Sequence, residues 1–271
     1  MEKLKGSAMV GLVNGGKLKR ADIMLSRTKG SLLGSLIRFG TGSYWNHAFM
    51  VYVIKDSSQG YDTTFIIESG GGGIDIHNIA HYFNNPNKYD VAVKRFEADW
   101  FKDGIKTDGL RYRRKIRGFA LEEIDDKYDH KLILDITRRV IRQFILALLF
   151  PWQRRKPAEK RRIYVPRFLK ALNVNAYICS GFVQWSYYQG VSRILREDRL
   201  DESKLSDVIF NPRLSGGVTE DEDELLSTTP ADLANSNKLS WKYIIKDGVV
   251  FEVQDEDTED DIASVLKLKK K

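Results

Sequence analysis

The chain carries one cysteine, Cys179, and four histidines, His47, His77, His81 and His130. Cysteine acts as a nucleophile in its thiolate form, and a helix N-terminus together with a nearby imidazole stabilises negative charge on sulfur. The stretch 179–188, CSGFVQWSYY, follows a turn-like 173–175 and puts Cys179, Phe182, Val183 and Ser186 on one side of a helix, so the thiol is expected at a helix start. Of the histidines, His47 opens the apolar run HAFMVYVI directly after the loop GSYWN, where a strand fixes the ring and a loop leaves it accessible. His77 and His81 follow a glycine run in a segment that reads as a helix start, and His130 lies in a charged helical stretch. His47 is therefore the candidate general base. A third group must hold the imidazole tautomer. Glu68, at the end of the run TFIIE, can do so if its strand pairs with that of His47, with Asp75 in reserve. The plainer alternative is a lone cysteine acting as a small buried hydrophobe, with Glu68 capping a turn, and spacing alone leaves both readings open.

Several motifs exclude other chemistry. The run SGGGG at 69–73 lacks the Lys-Ser/Thr of a phosphate-binding loop, so Gly70 and Gly71 serve a tight turn or the close approach of a substrate backbone. His77 and His81 are four apart but have no glutamate between them and no third ligand nearby, so no metal and no cofactor is expected. The acidic run 220–224 lacks the glycine and spacing of a calcium loop.

Positioning these residues requires strands at 22–26, 47–54, 64–68 and 90–96, which read as a small, largely antiparallel sheet. A helix is expected over 31–39, with Ser31 as N-cap and Gly40 as its stop. A Thr-Pro-Ala-Asp helix start at 229–232 and a strand pair near 241–245 and 249–253 follow, then a charged, flexible tail over 254–271. From 103 to 170 the chain reads as a helical, basic insertion. Ile116, Phe119, Ala120 and Ile124 share one face, and an apolar stripe from Leu132 to Leu148 runs between the clusters Arg138-Arg139-Arg142 and Arg154-Arg155-Lys156.

The chain has 271 residues, of which 42% are apolar and 11% aromatic, enough to bury a core, and one domain with an insertion is the expected organisation. The net charge of +7 is local, since 106–170 holds nineteen Lys and Arg against eight Asp and Glu. One cysteine excludes an intramolecular disulfide and a multi-thiolate zinc site and fits a reducing, cytoplasmic compartment. The first sixteen residues lack a signal-peptide core, and the longest apolar run, FILALLFPW, is about half the roughly 20 residues of a spanning helix. No nucleic-acid reading motif accompanies the basic section, so nucleic acid is not an expected partner.

The segments ADIMLS at 21–26, SYWNHAFMVY at 43–52, FIIESGGGGIDIH at 65–77, YICSGFVQWSYYQ at 177–189 and TPADLANS at 229–236 resemble the permuted branch of the papain-like, NlpC-type superfamily, the YiiX/YaeF-like proteins. The order carries the resemblance: the histidine strand precedes the Cys-Ser helix, the reverse of ordinary papain-like enzymes. The resemblance implies an α+β, circularly permuted papain-like fold, a small antiparallel sheet or half-barrel packed on helices. It implies Cys179 as nucleophile, His47 as base and Glu68 as the residue orienting His47. The backbone amides of Cys179 and Ser180 would belong to an oxyanion site, to which Tyr44 or Tyr177 would add a hydroxyl. The implied activity is hydrolysis of amide or peptide bonds through an acyl-enzyme. The alternatives are a lipid acyl hydrolase or acyltransferase at a membrane surface, and a non-catalytic membrane-peripheral module, with 138–162 as the contact to anionic membrane. Two departures stand out: Lys19-Arg20-Ala21 occupies the place where the family often has Pro-Gly, and the basic insertion is longer than the compact family core.

Overall fold

The computed structural model describes residues 6–8, 17–55, 61–70, 73–104, 107–124, 174–214 and 222–266. In chain order the elements are β1 (Gly6–Ala8), β2 (Ile23–Thr28), α1 (Leu32–Thr41), β3 (His47–Ile54), β4 (Thr64–Gly70), β5 (Gly73–Asn78), α2 (Ala80–Phe83) and β6 (Tyr89–Phe96). There follow the two-residue strands β7 (Asp103–Gly104) and β8 (Thr107–Asp108), then α3 (Gly109–Glu122), α4 (Val174–Glu197), α5 (Glu222–Leu226), α6 (Pro230–Asn235), β9 (Leu239–Lys246), β10 (Val249–Glu252) and α7 (Glu259–Leu266). The fold is α+β, and its main sheet is larger than the small one expected: eight strands in the order β1-β10-β9-β6-β2-β3-β4-β5. Every adjacent pair in it is antiparallel.

Strand alternation divides the core into two layers. Ile23, Leu25, Ala48, Met50, Ile67 and Ala92 pack with Ile116 of α3 and with Phe182, Val183, Tyr187 and Val191 of α4. Met24, Phe49, Val51, Ile66, Val91 and Val93 pack on the other face with Ile79, Tyr82 and Phe83 around α2. Helices α3 and α4 cross closely at Gly190, where a Cβ would stand 2.5 Å from the Cα of Ile116. At Gly181 a Cβ would strike the Leu226 carbonyl at the end of α5.

Local signals explain most boundaries. Ser31 caps α1 by accepting from the Gly34 amide, but the helix runs past Gly40 and stops at Gly42, which takes the left-handed conformation at φ 64°. Thr229 and Asp232 form a capping box at α6, with Pro230 beside it. The last carbonyls of that helix and of its cap are met by a buried lysine: Lys94 Nζ donates to the Leu233, Ala234 and Ser236 oxygens at 3.0, 2.6 and 3.0 Å. The glycine run closes a hairpin, with Gly70 opposite Gly73. His77 consequently lies in strand β5, not at a helix start, while His81 sits in the short α2.

Within the tail expected to be flexible, 254–271, residues Glu259–Leu266 form the helix α7, which buries Ile262 and Leu266. Of the insertion at 103–170, α3 buries Ile116, Phe119 and Ala120 while Ile124 is exposed. Residues 125–170, including His130, the stripe 132–148 and the proposed membrane contact 138–162, lie outside the described residues. Among the described residues no helix is long and apolar enough to cross a membrane.

Candidate active site

β3 and β4 are paired, with Met50 opposite Ile67, so the strand that begins with His47 runs beside the one that carries Glu68. The His47 Nε2 lies 2.8 Å from Glu68 Oε2. A carboxylate only accepts, so Nε2 carries a proton there and the nitrogen left for another partner is Nδ1. His47 also hydrogen-bonds Cys179, which α4 brings over β3 and β4. With Nε2 committed to Glu68, the nitrogen facing the sulfur is Nδ1. The imidazole is thus held between a carboxylate and a thiol, the arrangement in which it can take a proton from sulfur and return it to a leaving group.

The electrostatics favour the charged imidazole. Burial opposes protonation of His47, but the negative charges of Cys179 and Glu68 outweigh it and raise the pKa to about 10. Burial works to raise the Glu68 pKa, yet hydrogen bonding and charge from His47, with help from Tyr82 and His77, bring it below the usual carboxylate value. The thiol is fully buried, whereas the side chains of His47 and Glu68 keep 20% and 15% exposure. Solvent therefore meets the pair from the histidine side.

Two contacts on Glu68 were not foreseen from the sequence. The Tyr82 hydroxyl donates to the same Oε2 at 2.6 Å, and His77 Nε2 stands 3.3 Å from Oε1. Tyr82 is in turn stacked on Phe49 at 4.4 Å between ring centroids, and Phe49 abuts the His47 ring at 5.8 Å. Burial next to the Glu68 carboxylate pushes the Tyr82 hydroxyl pKa up, so it stays a donor. The period-two pattern of GIDIHN was the signal that could have placed His77 in a strand beside Glu68. No local pattern marks Tyr82. Asp75 sits directly opposite Glu68 in the ladder and meets His77 at 3.6 Å, so the carboxylate on His47 is that of Glu68.

The oxyanion expectation is corrected. α4 starts at Val174, which puts Cys179 and Ser180 beyond the first turn, where backbone N–H groups are already bonded to carbonyls four residues back. The Ser180 side chain is buried and donates to the Thr228 carbonyl at 2.7 Å. The Tyr44 hydroxyl is spent on the buried Asp90, 2.6 Å away, beneath the Arg27 guanidinium, and is not turned to the thiol. Gly70 closes the β4–β5 hairpin, while Gly71 and the Tyr177 side chain lie outside the described residues. Among the described residues no group of three or more His, Cys, Asp or Glu side chains is arranged to hold a metal. The sequence matches no protein-family model and no curated protein.

Proposed function

We propose that the chain is a cysteine-dependent hydrolase of amide or peptide bonds that works through an acyl-enzyme on Cys179, on a circularly permuted papain-like fold. The observation that carries this reading is the His47 ring held between Glu68 and Cys179. The permuted order is supported by the position of the histidine strand β3 ahead of the cysteine helix α4 in the chain.

In this mechanism the proton of Cys179 is held on His47 Nδ1, so that the imidazole is charged, and the thiolate attacks the substrate carbonyl carbon. His47 then gives the proton to the departing amine, leaving a thioester. Water, deprotonated by the same nitrogen, attacks the thioester and releases the acid, and the sulfur leaves as a thiolate beside the imidazole, which is charged again. Glu68 stays ionised and holds Nε2–H, which orients the ring with Nδ1 toward the sulfur.

The test uses an activated ester, p-nitrophenyl acetate, with intact-mass detection of the acylated protein. Wild type is expected to acquire one acetyl group on Cys179 and to turn it over. The Cys179→Ala variant is expected to acquire none while melting within a few degrees of wild type, since removing a small thiol costs about 1 kcal/mol. An equal acetyl yield in the variant would assign the chemistry to another residue.

A further inference from the structure

The terminal torsion of a glutamate joins an sp³ to an sp² carbon and is broad, so the plane of the Glu68 carboxylate is set by what its oxygens meet. Groups face it from three elements. From β3 the His47 Nε2 stands 2.8 Å from Oε2, from α2 the Tyr82 hydroxyl donates to the same oxygen at 2.6 Å, and from β5 the His77 Nε2 stands 3.3 Å from Oε1. Asp75, also on β5, meets His77 at 3.6 Å, and Cys179 of α4 bonds His47 in turn.

Tyr82 and His77 differ in how firmly they are held. The His77 side chain is 40% exposed and divides one nitrogen between the Glu68 and Asp75 carboxylates, with water beside it. Tyr82 is 5% exposed, and packing fixes its ring on both sides. One side stacks on Phe49, 4.4 Å between centroids and 19° between planes, and the ring also meets Tyr89 at 4.8 Å. Phe49 lies two residues from His47 on the same face of β3, with its ring 5.8 Å from the imidazole. The chain leading into α2 is tied to the strand of Glu68. The Ile79 amide donates to the Thr64 carbonyl of β4 at 3.0 Å, and Asn78 Oδ1 accepts from the Ala80 amide at 2.8 Å. The hydroxyl is therefore referenced to both strands that carry the pair.

We propose that Tyr82 is a positioning residue for the reaction at Cys179: its hydroxyl clamps Glu68 Oε2 in the orientation that receives His47 Nε2–H, which in turn aims Nδ1 at the sulfur. A turn of the carboxylate out of this plane withdraws Oε2 from both donors at once. The acceptor is ionised, so each of these bonds is of the stronger, charge-assisted kind. Being buried, Tyr82 acts through Glu68 and His47 and not on substrate. Its catalytic meaning rests on the hydrolase reading, whereas the clamp on Glu68 does not.

The experiment compares two single-hydroxyl deletions in the full chain. Tyr82→Phe keeps the stacked ring and removes only the group that meets Glu68. Tyr89→Phe removes a neighbouring hydroxyl that bonds His81 and not Glu68. The first readout is the exchange with water of the His47 Nε2–H proton, followed by NMR at neutral pH. It is expected to quicken about tenfold in Tyr82→Phe, where the carboxylate is free to turn, and to stay at the wild-type rate in Tyr89→Phe. The second is turnover of p-nitrophenyl acetate, for which Tyr82→Phe is expected to lower kcat about tenfold with KM within about twofold of wild type, the split of a misaimed base and not of a lost substrate contact. The proposal is overturned if Tyr82→Phe leaves either quantity at its wild-type value, or if Tyr89→Phe changes both as much, which would assign the effect to the packing of the aromatic cluster. Exchange needs no turnover, so an unmoved proton removes the clamp, whereas a wild type that is not acylated on Cys179 removes the hydrolase reading.

Discussion

Glu68 is the residue on which the site converges. One oxygen takes His47 and Tyr82, and the other faces His77. The charge of Glu68 is one of the reasons His47 holds a proton up to about pH 10. The sign of its removal follows: an amide in place of the carboxylate no longer favours the imidazolium, so the His47 pKa in Glu68→Gln moves down. An imidazole-resolved NMR titration is expected to find the His47 transition near pH 10 in wild type and lower in Glu68→Gln, with Tyr82→Phe moving it less. Turnover is expected to fall by about 100-fold or more in His47→Ala and by less in Glu68→Gln, since the histidine moves the proton and the glutamate only orients it. An unmoved transition in Glu68→Gln would transfer the orienting role to another acceptor.

At the scale of the element, the junction before β2 holds a residue in a strained backbone conformation. Ala21 adopts φ 66°, the left-handed region that costs a side-chain-bearing residue about 1 kcal/mol or more. The conformation is imposed by its surroundings. The Ala21 amide donates to the Val51 carbonyl at 2.8 Å, its carbonyl accepts from the Tyr187 hydroxyl, and the next residue, Asp22, is clamped by Arg95 through two bonds of 2.7 Å. The strain is local, so Ala21→Gly is expected to stabilise the protein by about 1 kcal/mol, read as a rise of roughly 2–4 °C in melting temperature. A melting temperature that stays level or drops would mean that the backbone at Ala21 is unstrained.

The same scale explains which elements could be read in advance. The alternation of HAFMVYVI and DVAVKRF, the Ser31 cap and the Thr229–Asp232 box are local signals, and β3, β6, α1 and α6 follow them. Other features depend on packing. The start of α4 at Val174 is ambiguous in the sequence: Asn173 is of a type that can cap a helix, but the asparagines on either side of Val174 also read as a turn, and that reading puts the thiol, and with it the oxyanion amides, at a helix start. The glycine run hid a hairpin, so His77 was misread as helical. Tyr82 reaches Glu68 because α2 folds back under the sheet, a relation between segments that no spacing along the chain encodes.

At the scale of the whole molecule, β3, β4 and α4 supply the three groups from segments far apart in the chain, and the sheet register brings two of them side by side before the helix adds the third. Cys179, His47 and Glu68 were each identifiable from type and context. Their meeting depends on the antiparallel pairing of β3 with β4, which the sequence left conditional. The central claim is that His47 activates the thiol of Cys179, and the most direct measurement is the rate of iodoacetamide alkylation at pH 6, followed by intact mass in a chain that has one cysteine. The account predicts that folded wild type is alkylated once, and at least about tenfold faster than His47→Ala. Equal rates in the two proteins, or alkylation of wild type only after unfolding, would contradict it and leave Cys179 a buried structural residue.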